Sequence, residues 1–170
     1  MFIILHKKMK QIFIQYAAYN LWANKILLGK TAQLSADILY KEMGGSFGSI
    51  YNTFVHLMDV ESVWWQRLKL KEHVLWPGAD MKENFEELSQ KILSQSKEWH
   101  EAISAANENY FNHVFAYYNS KKEFFKQPVY EMLLHMFNHQ TYHRGQIVIM
   151  MRQNGITKIP PTDFIVFSRK

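Results

Sequence analysis

Apolar residues recur at intervals of three and four over four long stretches of the chain, the period of a helix that buries one side. In the first stretch Ile12, Tyr16, Tyr19, Ala23, Ile26 and Leu27 mark a helix over residues 9 to 33, with no internal proline. Gly29 lies near its end, and the pattern loosens over residues 31 to 37. Met9 could equally serve as the translation start, so residues 1 to 8 read as an N-terminal extension. Gly44-Gly45 breaks the chain, and Ser46 is the predicted N-cap of a second helix reaching residue 69. That helix carries Phe47, Ile50, Tyr51, Phe54, Leu57, Met58, Trp64, Trp65 and Leu68 on a broad apolar stripe. Residues 72 to 80, with Trp76-Pro77-Gly78, form a connection. A third helix over residues 81 to 106 places Phe85, Leu88, Ile92, Trp99 and Ile103 on one face.

Between residues 107 and 127 the pattern changes to aromatic-rich alternation, with Asn119-Ser120 as a turn. This reads as an irregular connection with room for a short hairpin. Pro128 opens a fourth helix that turns Val129, Met132, Leu133, Met136, Ile147, Met150 and Met151 inward and stops at Asn154-Gly155. Ile159-Pro160-Pro161 cannot be helical, so the C-terminal tail either packs along the helices or hangs free. Four amphipathic helices without a strand-rich block predict an all-α four-helix bundle, one domain over residues 9 to 170. A chain of 170 residues with 48% hydrophobic content can bury the core such a bundle needs.

Composition then narrows the chemistry. No apolar run approaches the roughly 18 residues of a membrane span, and residues 1 to 10 lack the apolar core and cleavage site of a signal peptide. The expectation is a cytoplasmic protein with no membrane partner. Absence of cysteine excludes disulfides, a thiol nucleophile, cysteine-ligated zinc and iron–sulfur clusters, so any metal must be held by His, Asp or Glu. The net charge of +5 comes from scattered lysines rather than a basic run, which argues against a nucleic-acid partner.

The histidines carry the candidate chemistry. Residues four apart on a helix lie about 40° apart around its axis, so two imidazoles at that spacing can meet one ion. His139 and His143 have the spacing, and so do His135 and His139, so spacing alone cannot choose between the pairs. A helical wheel puts His143 within the apolar stripe, His139 at its edge and His135 further out, which favours the lower pair. A third ligand must come from another helix. His56 is the strongest candidate, although the wheel sets it opposite the main apolar stripe of the second helix, among Asn52, Val60, Val63 and Arg67. Such a mixed face suits a cleft between helices, a subunit interface, or a histidine that is merely hydrogen-bonded. His6, His73, His100 and His113 fall in the extension, in connections or on a polar face, and read as solvated. Glu61 falls on the apolar stripe, where a carboxylate must be paired, orient an imidazole or reach solvent at a helix edge.

At these residues the sequence resembles the DinB-like (DinB/YfiT) family of metal-binding four-helix bundles, nearly throughout from Met9 onward. Tyr19-Asn20-Leu21-Trp22-Ala23-Asn24 resembles the family's Trp-Ala-Asn element, and residues 46 to 50 resemble the opening of its second helix. Residues 138 to 146, Asn-His-Gln-Thr-Tyr-His-Arg-Gly-Gln, resemble its H-x3-H-R-G-Q stretch, the most specific of these signatures. Tyr142 departs from the further histidine that many relatives carry there. The resemblance implies His56, His139 and His143 as ligands of one divalent ion, zinc or nickel above others, and drops His135. It also implies up-down-down-up topology and a homodimer.

Three histidines leave coordination positions open, as in catalytic rather than closed structural sites. Family analogy therefore suggests a metal-dependent enzyme, such as a thiol S-transferase, that activates a low-molecular-weight thiol or water for transfer to a small molecule. The alternative is a non-catalytic, stress-associated binding protein with a structural metal. A nucleic-acid-associated role, suggested only by charge and by the family's damage-inducible name, comes last. His56's awkward face adds a structural expectation: the ion should sit in an accessible cleft.

Overall fold

A computed structural model of the chain describes residues 2–169. Met1, Lys170 and the side chains of residues 2–8, including His6 of the predicted extension, lie outside the described residues. Four long helices dominate: α1 (Phe2–Thr31), α3 (Ile50–Leu68), α4 (Phe85–Ala105) and α5 (Val129–Gln153). Two short ones accompany them, α2 (Ala36–Leu39) and α6 (Phe164–Ser168). A two-stranded antiparallel sheet, β1 (Val114–Tyr118) and β2 (Phe124–Pro128), fills the stretch predicted as irregular, in register from Val114 opposite Pro128 to Tyr118 opposite Phe124.

Side-chain bonds fix how the long helices run. Lys10 Nζ donates to Ala106 O and Asn24 Nδ2 to Ser96 Oγ, so α1 and α4 are antiparallel. Tyr51 Oη donates to Lys82 O and Gln95 Nε2 to Met58 O, so α3 and α4 share a direction. Gln140 Nε2 donates to Leu57 O while Trp64 packs on His135, which sets α5 antiparallel to α3.

Three predicted boundaries move, two of them through a cap. The second helix starts at Ile50 and not after Ser46. Gly44, Gly45 and Gly48 all adopt positive φ, and Gly48 O accepts from Met43 N–H at 2.7 Å, which holds the loop non-helical up to Ser49. Ser49 Oγ then accepts from Asn52 N–H at 3.1 Å. The third helix starts at Phe85 because Asn84 Oδ1 accepts from Glu87 N–H at 3.0 Å, leaving Met81 and Lys82 outside. The backbone of α1 begins at Phe2. The tail packs rather than hangs: Thr162 O accepts from Tyr19 Oη at 2.8 Å, and Phe164 and Phe167 of α6 lie against Tyr16, Tyr19 and Trp22.

The apolar interior divides in two. One cluster gathers Phe13, Trp64, Trp99, Phe111, Leu133 and Phe137; the other gathers Leu27, Ile50, Phe54, Leu88, Ile92 and Ile147. Between their levels lies a buried polar layer of Asn20, Asn24, Glu61, Ser96, Gln140 and Arg144. Buried polar groups cost free energy unless bonded, and these are bonded chiefly to one another. His56, His139 and His143 stand at the same level, between α3 and α5.

Candidate metal centre

α3 is buried on more than one side, and this resolves the position of His56. Its apolar stripe meets the interior, while His56 lies against α5 with Val60 and Val63 buried beyond it. His139 and His143 reach the same point from α5. His139 Nε2 is 3.0 Å from His56 Nε2 and 3.1 Å from His143 Nε2, and one nitrogen from each of the three rings lies within 4.8 Å of the others. His143 is buried, while His56 and His139 are partly open, as expected for a cleft.

The donor arithmetic shows what this cluster suits. Gln146 Oε1 accepts from His143 Nδ1–H at 2.8 Å, so the Nε2 of neutral His143 presents a lone pair. His139 Nε2 faces two nitrogens, and a single proton there bridges only one of the two contacts. A cation at the centre would convert all three lone pairs into favourable contacts. Nitrogen ligands about 2.0–2.1 Å from a tetrahedral ion stand about 3.3 Å apart, close to the separations found. His139 Nδ1 is buried without a partner among the described residues, so His143 alone of the α5 pair has a partner fixing its outer nitrogen.

Electrostatics keep His56 and His139 neutral. Burial, then the neighbouring His143, pushes His56 down to about 4. Burial, then His143, His56 and His135, pushes His139 down to about 3. Neutral imidazole is the form that binds metal.

His135 stands one turn away, its ring 5.9 Å from that of His139 and 5.6 Å from that of Trp64, outside the cluster. This removes the ambiguity of the 135, 139, 143 ladder. His73, His100 and His113 join no cluster of three metal-binding side chains among the described residues. Glu61 is hydrogen-bonded to no imidazole among the described residues. It accepts from Asn20 Nδ2 at 2.7 Å and Ser96 Oγ at 3.2 Å, and burial raises its pKa to about 7 against the lowering effects of those bonds and of Arg144. Arg144, beside His143, donates to Asn20 Oδ1 at 2.6 Å, Asn24 Oδ1 at 3.0 Å and Thr141 Oγ1 at 3.0 Å. The bridging Asn20 thus ties α1 to the buried middle turns of α3 and α5.

Sequence reasoning missed this layer, although Gln140 and Arg144 continue the buried stripe of Val129, Leu133, Met136, Phe137 and Ile147 at helical spacing. It also placed Phe47 on a helix. Phe47 stands in the loop before α3 and stacks on His56 with ring centroids 3.8 Å apart, its ring also meeting that of His143 at 5.3 Å.

Residues 7–169 match the family model described as DinB family. The chain belongs to the DinB family. It is 28% identical over 153 residues to Protein DinB of Bacillus subtilis (strain 168), covering 86% of this chain and 87% of that protein. Its fold is similar to the crystal structure of a DinB-like protein from Bacillus cereus ATCC 10987, with a TM-score of 0.67 at 19% identity over 88% of this chain and 94% of that one. In this DinB-family chain the stretch from His139 to Gln146 serves two purposes. His139, His143 and Gln146 build the cluster, and Arg144 braces the layer behind it. No helix among the described residues is long and apolar enough to cross a membrane.

Proposed function

We propose that His56, His139 and His143 bind one divalent ion, zinc or nickel, and that the protein is a metal-dependent enzyme acting on a small molecule with a low-molecular-weight thiol or water. The observation that carries the reading is the meeting of three imidazole nitrogens from two helices, with His56 and His139 only partly buried. Imidazole ligands suit either metal. At the ligand positions that three imidazoles leave free, the ion supplies Lewis acidity that favours the deprotonated form of a thiol or water.

The chain's own residues do the rest. Gln146 fixes the tautomer of His143. Phe47 holds the His56 ring by stacking and covers that end of the cluster. The three histidines stand at one level of the bundle and the apolar clusters lie on either side of it, which favours a catalytic over a structural metal.

The test is a transfer assay with a panel of low-molecular-weight thiols and electrophilic small molecules, run on wild type and His139→Ala. Turnover with at least one thiol, lost in the variant while the helical circular dichroism persists, is the expected result. A wholly negative panel with metal-loaded protein would refute the enzyme reading.

A further inference from the structure

Beyond His56, on the same side of α3, stands a cation that no anion balances among the described residues. Arg67 lies eleven residues after His56, about 16 Å further along α3 and within about 20° of the same face. Its guanidinium is packed over two rings, 4.6 Å from the Trp64 centroid and 5.0 Å from that of Tyr117 on β1. No carboxylate comes within ion-pair distance, and no acceptor takes any of its N–H groups among the described residues. Nε is buried without a partner. Burial works against the charge of Arg67 and lowers its pKa.

Rings connect this cation to the cluster. Trp64 touches His135 at 5.6 Å, and His135 touches His139 at 5.9 Å. Helical side chains lean toward the N-terminus, and the Arg67 guanidinium accordingly reaches back over Trp64, on the His56 side of its own position along α3. A guanidinium offers a planar fork that matches a carboxylate, and stacking between two rings fixes the fork in advance. Phe47 covers the cluster from the N-terminal side of α3 and Arg67 lies toward its C-terminal end, so a small molecule held by Arg67 meets the cluster from the end opposite Phe47.

We propose that Arg67 is the specificity-determining residue of the site and receives the carboxylate of an organic acid whose other end reaches the three-histidine centre. This inference rests on the metal reading above and adds the substrate class.

The test uses protein reconstituted with cobalt(II), whose absorption reports thiol binding directly, and a matched pair of probes. 6-Mercaptohexanoate and 6-mercaptohexanol have the same length and differ at the end meant for Arg67. Wild type should bind the acid about tenfold more tightly than the alcohol, the gain of one charge-assisted contact. Arg67→Met should bring the two affinities together with the alcohol's unchanged, and Arg67→Lys should fall between. A preference for the acid that survives in Arg67→Met, or no preference in wild type, overturns the proposal while leaving the metal centre intact. Failure to take up cobalt, read before any thiol is added, overturns the metal reading and this inference with it.

Discussion

Replacing Arg144 by Met keeps most of the side chain's length and removes the charge and all three of its hydrogen bonds. Asn20 Oδ1 and Asn24 Oδ1 then lose their donors in a layer where both residues are at most 1% exposed. A buried acceptor left unpaired costs about 1–3 kcal/mol, so two cost about 2–6 kcal/mol. Thr141 lies at an exposed position and recovers its bond from water. Glu61 also loses the cation whose field opposes its raised pKa, and it meets the loss by binding a proton rather than remaining an unpaired buried charge. The expected destabilisation of Arg144→Met is therefore about 3–4 kcal/mol, read from urea unfolding followed by circular dichroism. Adding Glu61→Gln should recover part of it, since a neutral amide needs no cation, and the double variant should be more stable than the sum of the singles predicts. A loss below about 1 kcal/mol for Arg144→Met, or strict additivity in the cycle, would refute the claim that this layer is a coupled network.

Further outcomes follow from the same geometry. Glu61 titrates near 7 in the folded protein and near 4.5 unfolded, so the folded state holds the extra proton between those values; its contribution is full below about 4.5 and falls as pH rises to about 7. Comparing urea midpoints of wild type and Glu61→Gln across that range should show a difference that changes with pH, and a constant difference would contradict the assignment. Ser49→Ala should cost about 1 kcal/mol while Ser46→Ala costs almost nothing, since only Ser49 caps α3. Gln146→Leu should weaken metal binding about 10- to 100-fold by freeing the outer nitrogen of His143, measured by competition with a chelating dye. Stripping the ion with a chelator should leave helical content unchanged, and unfolding on chelation would mark the metal as structural.

The fold was legible where the apolar period is unbroken. Ile50 to Trp64 and Val129 to Met151 repeat at helical spacing and are helical as predicted. What the period could not show was which of several capping residues wins. Ser46 and Ser49 are equally good caps in isolation, and the positive φ of Gly48 decides between them. The hairpin was half visible as alternation because its strands are short and mostly exposed, which weakens the two-residue signal. Within the site, the His139 and His143 pair was readable from spacing and the wheel. His56 was the strongest candidate for the third member, yet the wheel set it opposite the apolar stripe, because α3 buries residues on two sides and a single-stripe wheel treats the second as solvent. The polar layer escaped notice since Asn20, Asn24 and Arg144 look like surface residues until four helices bring the layer together.

The central claim is that three histidines from α3 and α5 hold one divalent ion, and metal content tests it most directly. Elemental analysis of protein purified without an affinity tag should find about one divalent ion per wild-type chain and almost none in His56→Ala or His143→Ala, with all three proteins folded, because three-ligand sites bind weakly once reduced to two. Full metal retention in both variants would contradict it.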